Sequence, residues 1–130
     1  MKIDKSWYIK PKDKNFPSAL SCGGAVIRKD RNKFKIALIR DKKFNDFMLP
    51  KGGMEKDEGK VVTARREIAE ETGLEDLEYL GKLGFKERLT FEKNEWRRTY
   101  YFLFATNQIK GIQKLEEGEE DYIVEWYDKD

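Results

Sequence analysis

Histidine is missing from this sequence altogether, and cysteine occurs once, as Cys22. Zinc bound through imidazole and thiolate groups is therefore not expected, and a cation site has to be assembled from oxygen donors. The lone cysteine cannot close an internal disulfide, which favours a reducing, cytoplasmic setting. No apolar run approaches the roughly 20 residues that span a bilayer. The opening "MKIDKSWYIKPKDK" is polar and lacks the apolar core of a secretion signal, so a soluble chain with no membrane partner is expected. Net charge is nearly absent too. There are 27 basic and 25 acidic side chains, and a balance of +2 selects no partner by global charge. Repeats and low-complexity linkers are lacking, so residues 1–130 are expected to form one domain with its own core.

What is present is a run of short apolar segments around one amphipathic stretch. Ser18 to Arg28, with small and β-branched residues, predicts a strand, and "DRNK" a polar turn. Phe34 to Arg40 predicts its hairpin partner. A third, short strand at Phe47 to Leu49 runs into Pro50 and the pair Gly52-Gly53, where the sheet is expected to give way to a loop. From about Glu58 to Thr72 the residues are helix formers, with Asp57 as candidate N-cap and Gly73 where a left-handed C-cap belongs. Downstream, "LEYLGKLGFKERLTFE" and "EWRRTYYFLFAT" predict a long hairpin. In its second strand Trp96, Arg98, Tyr100, Phe102 and Phe104 share one face, with Arg97, Thr99, Tyr101 and Leu103 on the other. "DYIVEWY" predicts a last strand after the acidic loop "LEEGEED". Strands, one central helix and more strands imply a mixed sheet with helical cover, an α/β or α+β domain.

The helix carries a local conflict. At about 100° per residue Val61, Ala64 and Ile68 form an apolar stripe, and Glu67 and Glu71 fall beside Ala64 at its edge, with Glu70 one position further round. Like charges at this spacing cost on the order of 0.2 to 0.5 kcal/mol each, and acids near a helix C-terminus oppose the macrodipole. A solvated face helped by Arg65 and Arg66 is one reading. The other is a bound hard cation that turns repulsion into coordination, and all-oxygen donors favour Mg²⁺ or Mn²⁺. Carboxylates that hold such cations commonly serve phosphate chemistry.

From Gly52 the sequence runs Gly, five residues, Glu58, seven residues, Arg66-Glu67-Ile68, one residue, Glu70-Glu71, one residue, Gly73-Leu74. This resembles the Nudix box with every defined position filled, and "SCGGAVI", "LPKG" and "DYIVEW" resemble its flanking elements. The resemblance implies an α/β/α sandwich with a mixed sheet, on which a nucleoside diphosphate linked to some group X is hydrolysed with Mg²⁺, Mn²⁺ being an alternative. It also implies that Glu67, Glu70 and Glu71 hold the metal with the backbone carbonyl near Lys51, and that Arg66 braces the glutamates. Glu58 is implied as a supporting acid, with Gly52 and Gly53 turning the loop and standing among the substrate contacts. The base that takes the proton is implied at Glu120, which matches a late-loop glutamate of relatives. A solvated loop acid is the other reading of Glu120, and Glu119 is the substitute.

"LPKG" resembles the form found in Nudix enzymes acting on diadenosine or diphosphoinositol polyphosphates. The expected substrate is therefore a nucleotide polyphosphate, diadenosine tetraphosphate first. Lys51 is expected to touch phosphate. Arg97 and Tyr101 resemble the Lys and Tyr of that subgroup, against the readings of an exposed cation and a core ring. Removal of pyrophosphate from RNA 5′ ends is a second reading and would need a basic track, for which Lys86, Arg88, Arg97 and Arg98 are scattered candidates. Hydrolysis of ADP-ribose or nucleoside triphosphates is a further one, and a nucleotide sensor without catalysis stands in another class. Two departures from the family pattern stand out. Lys56-Asp57 replaces the usual Pro-Gly, and at Asp130 many relatives continue into a closing helix, so the chain is expected to be a compact form or a cut one.

Overall fold

A single long strand, β1 (Ser18–Asp30), organises the fold. The computed structural model describes residues 3–128. On one edge β1 runs parallel to β6 (Trp96–Ala105) from Ser18↔Trp96 to Ile27↔Ala105. On its other edge it changes partner. Ser21 to Gly23 pair with β4 (Lys51–Gly53), and Ile27 to Asp30 pair with β2 (Lys33–Asp41). Between the two ladders the Gly24 N–H donates to the Pro50 carbonyl at 3.1 Å. Short β3 (Asp46–Met48) and β7 (Tyr122–Asp128) both lie antiparallel to β2, and β5 (Glu78–Leu89) closes the far edge against β6. The outcome is the expected mixed sheet, of seven strands.

The helix α1 (Lys60–Thr72) packs on one face of this sheet. Ala64 and Ile68 join Cys22, Val26, Phe102 and Phe104 in the core, so the apolar stripe is buried as its spacing requires. Gly73 adopts the left-handed conformation, φ 78°, and its N–H closes the last turn on the Ala69 carbonyl. The other end differs from expectation. Asp57 has φ 63° and belongs to the preceding turn, and Gly59 is the N-cap without a side-chain bond. Glu58 ties the preceding turn to the helix side chains, accepting from the Thr63 hydroxyl at 2.6 Å and the Glu55 N–H at 3.1 Å.

A second correction concerns the glycine pair. Lys51–Gly53 is a strand paired with β1, so the sheet continues where a loop was expected. Two residues without side chains fit because α1 passes close overhead. A Cβ on Gly52 would fall within the Glu67 carboxylate, whereas one on Gly53 would meet only Arg97 Nη1, at 3.6 Å. Among the described residues α1 is the one α-helix, accompanied by a 3₁₀ turn at Lys5–Tyr8 that packs on β5. The expectation attached to the chain's end at Asp130 lies outside the described residues.

Candidate active site

Two groups of like charge meet across β4, acidic on the α1 side and basic on the opposite face of the sheet. On the α1 side Arg66 is the hub. Its Nε and Nη2 grip Glu58 at 2.7 and 3.0 Å, Nη2 also donates to the Gly53 carbonyl at 2.8 Å, and Nη1 reaches Glu67 at 2.8 Å and Glu70 at 3.4 Å. One guanidinium thus ties the helix to β4 and to the turn before it. The Arg66 bonds, joined by the Thr63 hydroxyl, hold the Glu58 carboxyl down at about 2, and the Glu58 bond chiefly raises Arg66 in return. Glu58 was expected as a supporting acid, and the structure makes it the closest partner of the bracing arginine.

Glu71 is set apart from this network. It is 4% exposed and accepts from the Lys51 backbone N–H, 2.7 Å from Oε1. Burial pushes its carboxyl up to about 8, and the neighbouring Glu119 and Glu67 push the same way against the Lys51 bond. Glu67, 9% exposed, is also raised by burial against the pull of Arg66. Lys51 meets the acids through its N–H, where a carbonyl was expected. Its ammonium lies on the other face, kept below its ordinary value by burial and by Arg88.

The late loop delivers a different acid from the one expected. Glu120 is exposed and folds back onto the Gly118 N–H at 3.0 Å. Glu119 instead faces Glu71, and Glu116 comes near Glu67. Of the two late-loop acids it is thus Glu119, the stated substitute, that lies beside the helix acids. The loop is fixed to the end of α1 by side-chain and backbone donors that satisfy the helix's last carbonyls. Gln113 Nε2 donates to the Glu71 carbonyl at 2.8 Å and to the Tyr122 carbonyl at 3.2 Å, the Lys114 N–H donates to the Glu70 carbonyl, and Gln108 Nε2 donates to the Gly73 carbonyl at 3.0 Å. Nothing in the sequence pattern marked these two glutamines.

On the opposite face a cleft of about 300 Å³ opens over β1, β4, β5 and β6. Its floor follows from the ladder register: Lys51, Gly23 and Tyr101 stand in one row, Gly53, Ser21, Thr99 and Lys86 in the next, then Arg97 opposite Arg88. Of the expected substrate contacts, Lys51, Gly52, Arg97 and Tyr101 line it and Gly53, though in register with Ser21, does not. Arg97 is held by Glu95 at 2.6 Å and by the Ser21 hydroxyl at 2.6 Å, and burial raises the Tyr101 phenol. Lys86 and Arg88, scattered in sequence, converge here through alternation on β5. Arg98 does not, since it faces the α1 side and pairs with Glu87.

Do these residues fit a divalent cation? Among the described residues no three acidic or thiol side chains already form a cage. The donor chemistry nevertheless suits a hard cation. Two carboxylates, Glu67 and Glu71, are buried where loss of solvent raises their proton affinity, Glu67 shares Arg66 with Glu58 and Glu70, and the side-chain donors at hand are oxygens.

Buried carboxylates on a helix, separated by one thin strand from a cationic cleft, suit the hydrolysis of phosphoanhydrides, the chemistry of Nudix hydrolases. The chain belongs to the Nudix family: residues 21–130 match the NUDIX domain. Among solved structures it is similar to a C. elegans Ap4A hydrolase, with 20% identity, TM-score 0.62, and coverage of 85% of this chain and 80% of that one. It is also similar to the NUDIX domain of Shewanella oneidensis NrtR complexed with ADP ribose, at 15% identity, TM-score 0.68, and coverage of 97% and 84%. A MutT NUDIX hydrolase from Burkholderia pseudomallei aligns at 22% identity, TM-score 0.65, and coverage of 85% and 82%. At such identities the likeness concerns the fold. No curated protein sequence gives a significant match.

Proposed function

We propose that this Nudix hydrolase is a Mg²⁺-dependent pyrophosphohydrolase of dinucleoside polyphosphates, diadenosine tetraphosphate first among them, acting in the cytoplasm. The observation that carries the reading is the pairing of Glu71 and Lys51 on β4. The backbone of Lys51 holds the buried carboxylate while its side chain faces a cleft with three further cations, Lys86, Arg88 and Arg97. A phosphate chain lying in that cleft reaches the edge of β4, where the acids begin. Mg²⁺, or Mn²⁺, would be held by Glu67 and Glu71, with Glu70 released from its long contact to Arg66. Such an ion, when bound, lowers the pKa of water and offsets charge on phosphate oxygens.

The chain's own residues do the rest. Arg66 keeps Glu67 and Glu58 in place, Gln113 and Lys114 hold the late loop on the helix, and Glu119 is positioned to take the proton of the attacking water. Four cations in one cleft favour a chain of several phosphates over the two of ADP-ribose. They also keep a 5′-triphosphate RNA as the second reading, since the basic track that reading needed now exists in part. The test is kcat/KM with Mg²⁺ over diadenosine tetraphosphate, ADP-ribose, nucleoside triphosphates and 5′-triphosphate RNA. Diadenosine tetraphosphate is expected to lead, and a preference for ADP-ribose of about tenfold, 1.4 kcal/mol in transition-state terms, overturns the assignment.

A further inference from the structure

The turn at Lys5–Tyr8 packs on β5 and brings one of its residues, Tyr8, to the cleft. Lys93, from the turn between β5 and β6, donates from Nζ to the Ser6 hydroxyl at 2.7 Å and lies 4.2 Å from the centre of the Trp7 ring. The attachment presents Tyr8 to the cleft. Tyr8 is 56% exposed, and among the described residues its ring and hydroxyl have no partner. Phe91, 47% exposed, borders the same cleft from the β5–β6 turn, with the Arg88 guanidinium 4.9 Å from its ring centre. Two open aromatic rings from different elements therefore stand at the mouth of a cationic hollow.

The cations below them are in excess. Lys51, Lys86 and Arg88 make no ion pair with a carboxylate among the described residues, and Arg88 is directly opposite Arg97 in the ladder. Like charges placed so oppose each other, and an anion between them removes the cost. An apolar ring next to phosphate-binding cations suits a flat heterocycle joined to phosphates. A volume near the small end for ligand pockets suits one such unit.

We infer that Tyr8, brought to the cleft by the Lys5–Tyr8 turn, and Phe91 are the residues that hold the nucleobase of the substrate, beside the polyphosphate held by Arg88 and Lys86. The direction of the phosphates towards Glu71 rests on the hydrolase reading. The binding itself does not.

The test is binding without turnover, in chelator, with two probes. Fluorescence titration with 1,N6-ethenoadenosine triphosphate reports base and phosphate together, and calorimetry with inorganic tripolyphosphate reports phosphate alone. Loss of one stacking ring in Tyr8→Ala is expected to raise Kd for the etheno nucleotide at least about threefold. Tripolyphosphate binding should stay unchanged in that variant, and Tyr8→Trp should restore nucleotide binding. Arg88→Ala should weaken both probes. The inference is overturned if the parent does not bind the etheno nucleotide, if Tyr8→Ala changes its Kd less than threefold, or if tripolyphosphate binding falls equally. Binding that behaves as expected in a protein with no turnover leaves this site standing and removes the hydrolase assignment instead.

Discussion

Glu71 concentrates the chemistry and the instability of the site in one carboxyl. Its folded pKa of about 8 stands above the ordinary glutamate value, so the native state keeps a proton that the unfolded chain has lost. The stabilisation from that proton is complete below about pH 4.5 and disappears as pH rises through 8. Glu58, held at about 2, acts oppositely: its contribution is present above about pH 4.5 and is lost as pH falls through 2. Thermal melts of the metal-free protein are therefore expected to show stability declining from pH 5 to pH 8.5. Glu71→Gln, which can still accept from the Lys51 N–H, should flatten that decline. A parent whose melting temperature is level over this range contradicts the buried state of Glu71. The two loop acids separate by rate. Glu119→Gln is expected to lower kcat by about 10²-fold or more, as loss of a general base does, while Glu120→Gln stays within a few-fold of the parent. The reverse order of effects returns the role to Glu120.

Elements were legible in the sequence wherever period and capping decided them. The stripe of Ala64 and Ile68 and the stop at Gly73 came through, because burial of one face and a left-handed cap leave residue-type signatures. The start of α1 did not, because Asp57 is used by the preceding turn, at φ 63°, and the helix begins after Gly59 without a side-chain cap to mark it. The strand at Lys51–Gly53 was hidden for a related reason. Glycines carry no strand propensity, and this pairing is imposed by β1 and by the nearness of Glu67. That closeness predicts different outcomes for adjacent glycines. Gly52→Ala has to displace the Glu67 carboxylate or β4, and a cost of about 1–3 kcal/mol with loss of turnover is expected. Gly53→Ala, with Arg97 as its nearest neighbour at ordinary contact distance, should melt within about 0.5 kcal/mol of the parent. Equal melting temperatures for the two would show that α1 does not press on β4 as described.

For the whole molecule, the sheet works as a partition. The acids and α1 lie on one side, the cations and the cleft on the other, and β4 is the thin edge between them, over which the proposed substrate would reach. The family box disclosed the acidic half from sequence, since its spacing is local. The basic half became visible only through register, which sets Arg88 against Arg97 and brings Lys51 and Lys86 to the same face. The choice between Glu119 and Glu120 likewise depended on how Gln113 and Lys114 dock the late loop on α1. The central claim is that the carboxylates on α1 hold a cation on which hydrolysis depends. Its most direct measurement follows diadenosine tetraphosphate turnover and melting temperature together, in chelator and in millimolar Mg²⁺, for the parent and Glu71→Gln. The parent should be inactive in chelator, and Mg²⁺ should restore turnover and raise its melting temperature, as a ligand of the folded state does. Glu71→Gln should gain less in melting temperature and lose about 10²-fold in rate. Full turnover by the parent in excess chelator, or a variant with normal turnover and the parent's response to Mg²⁺, would contradict the account.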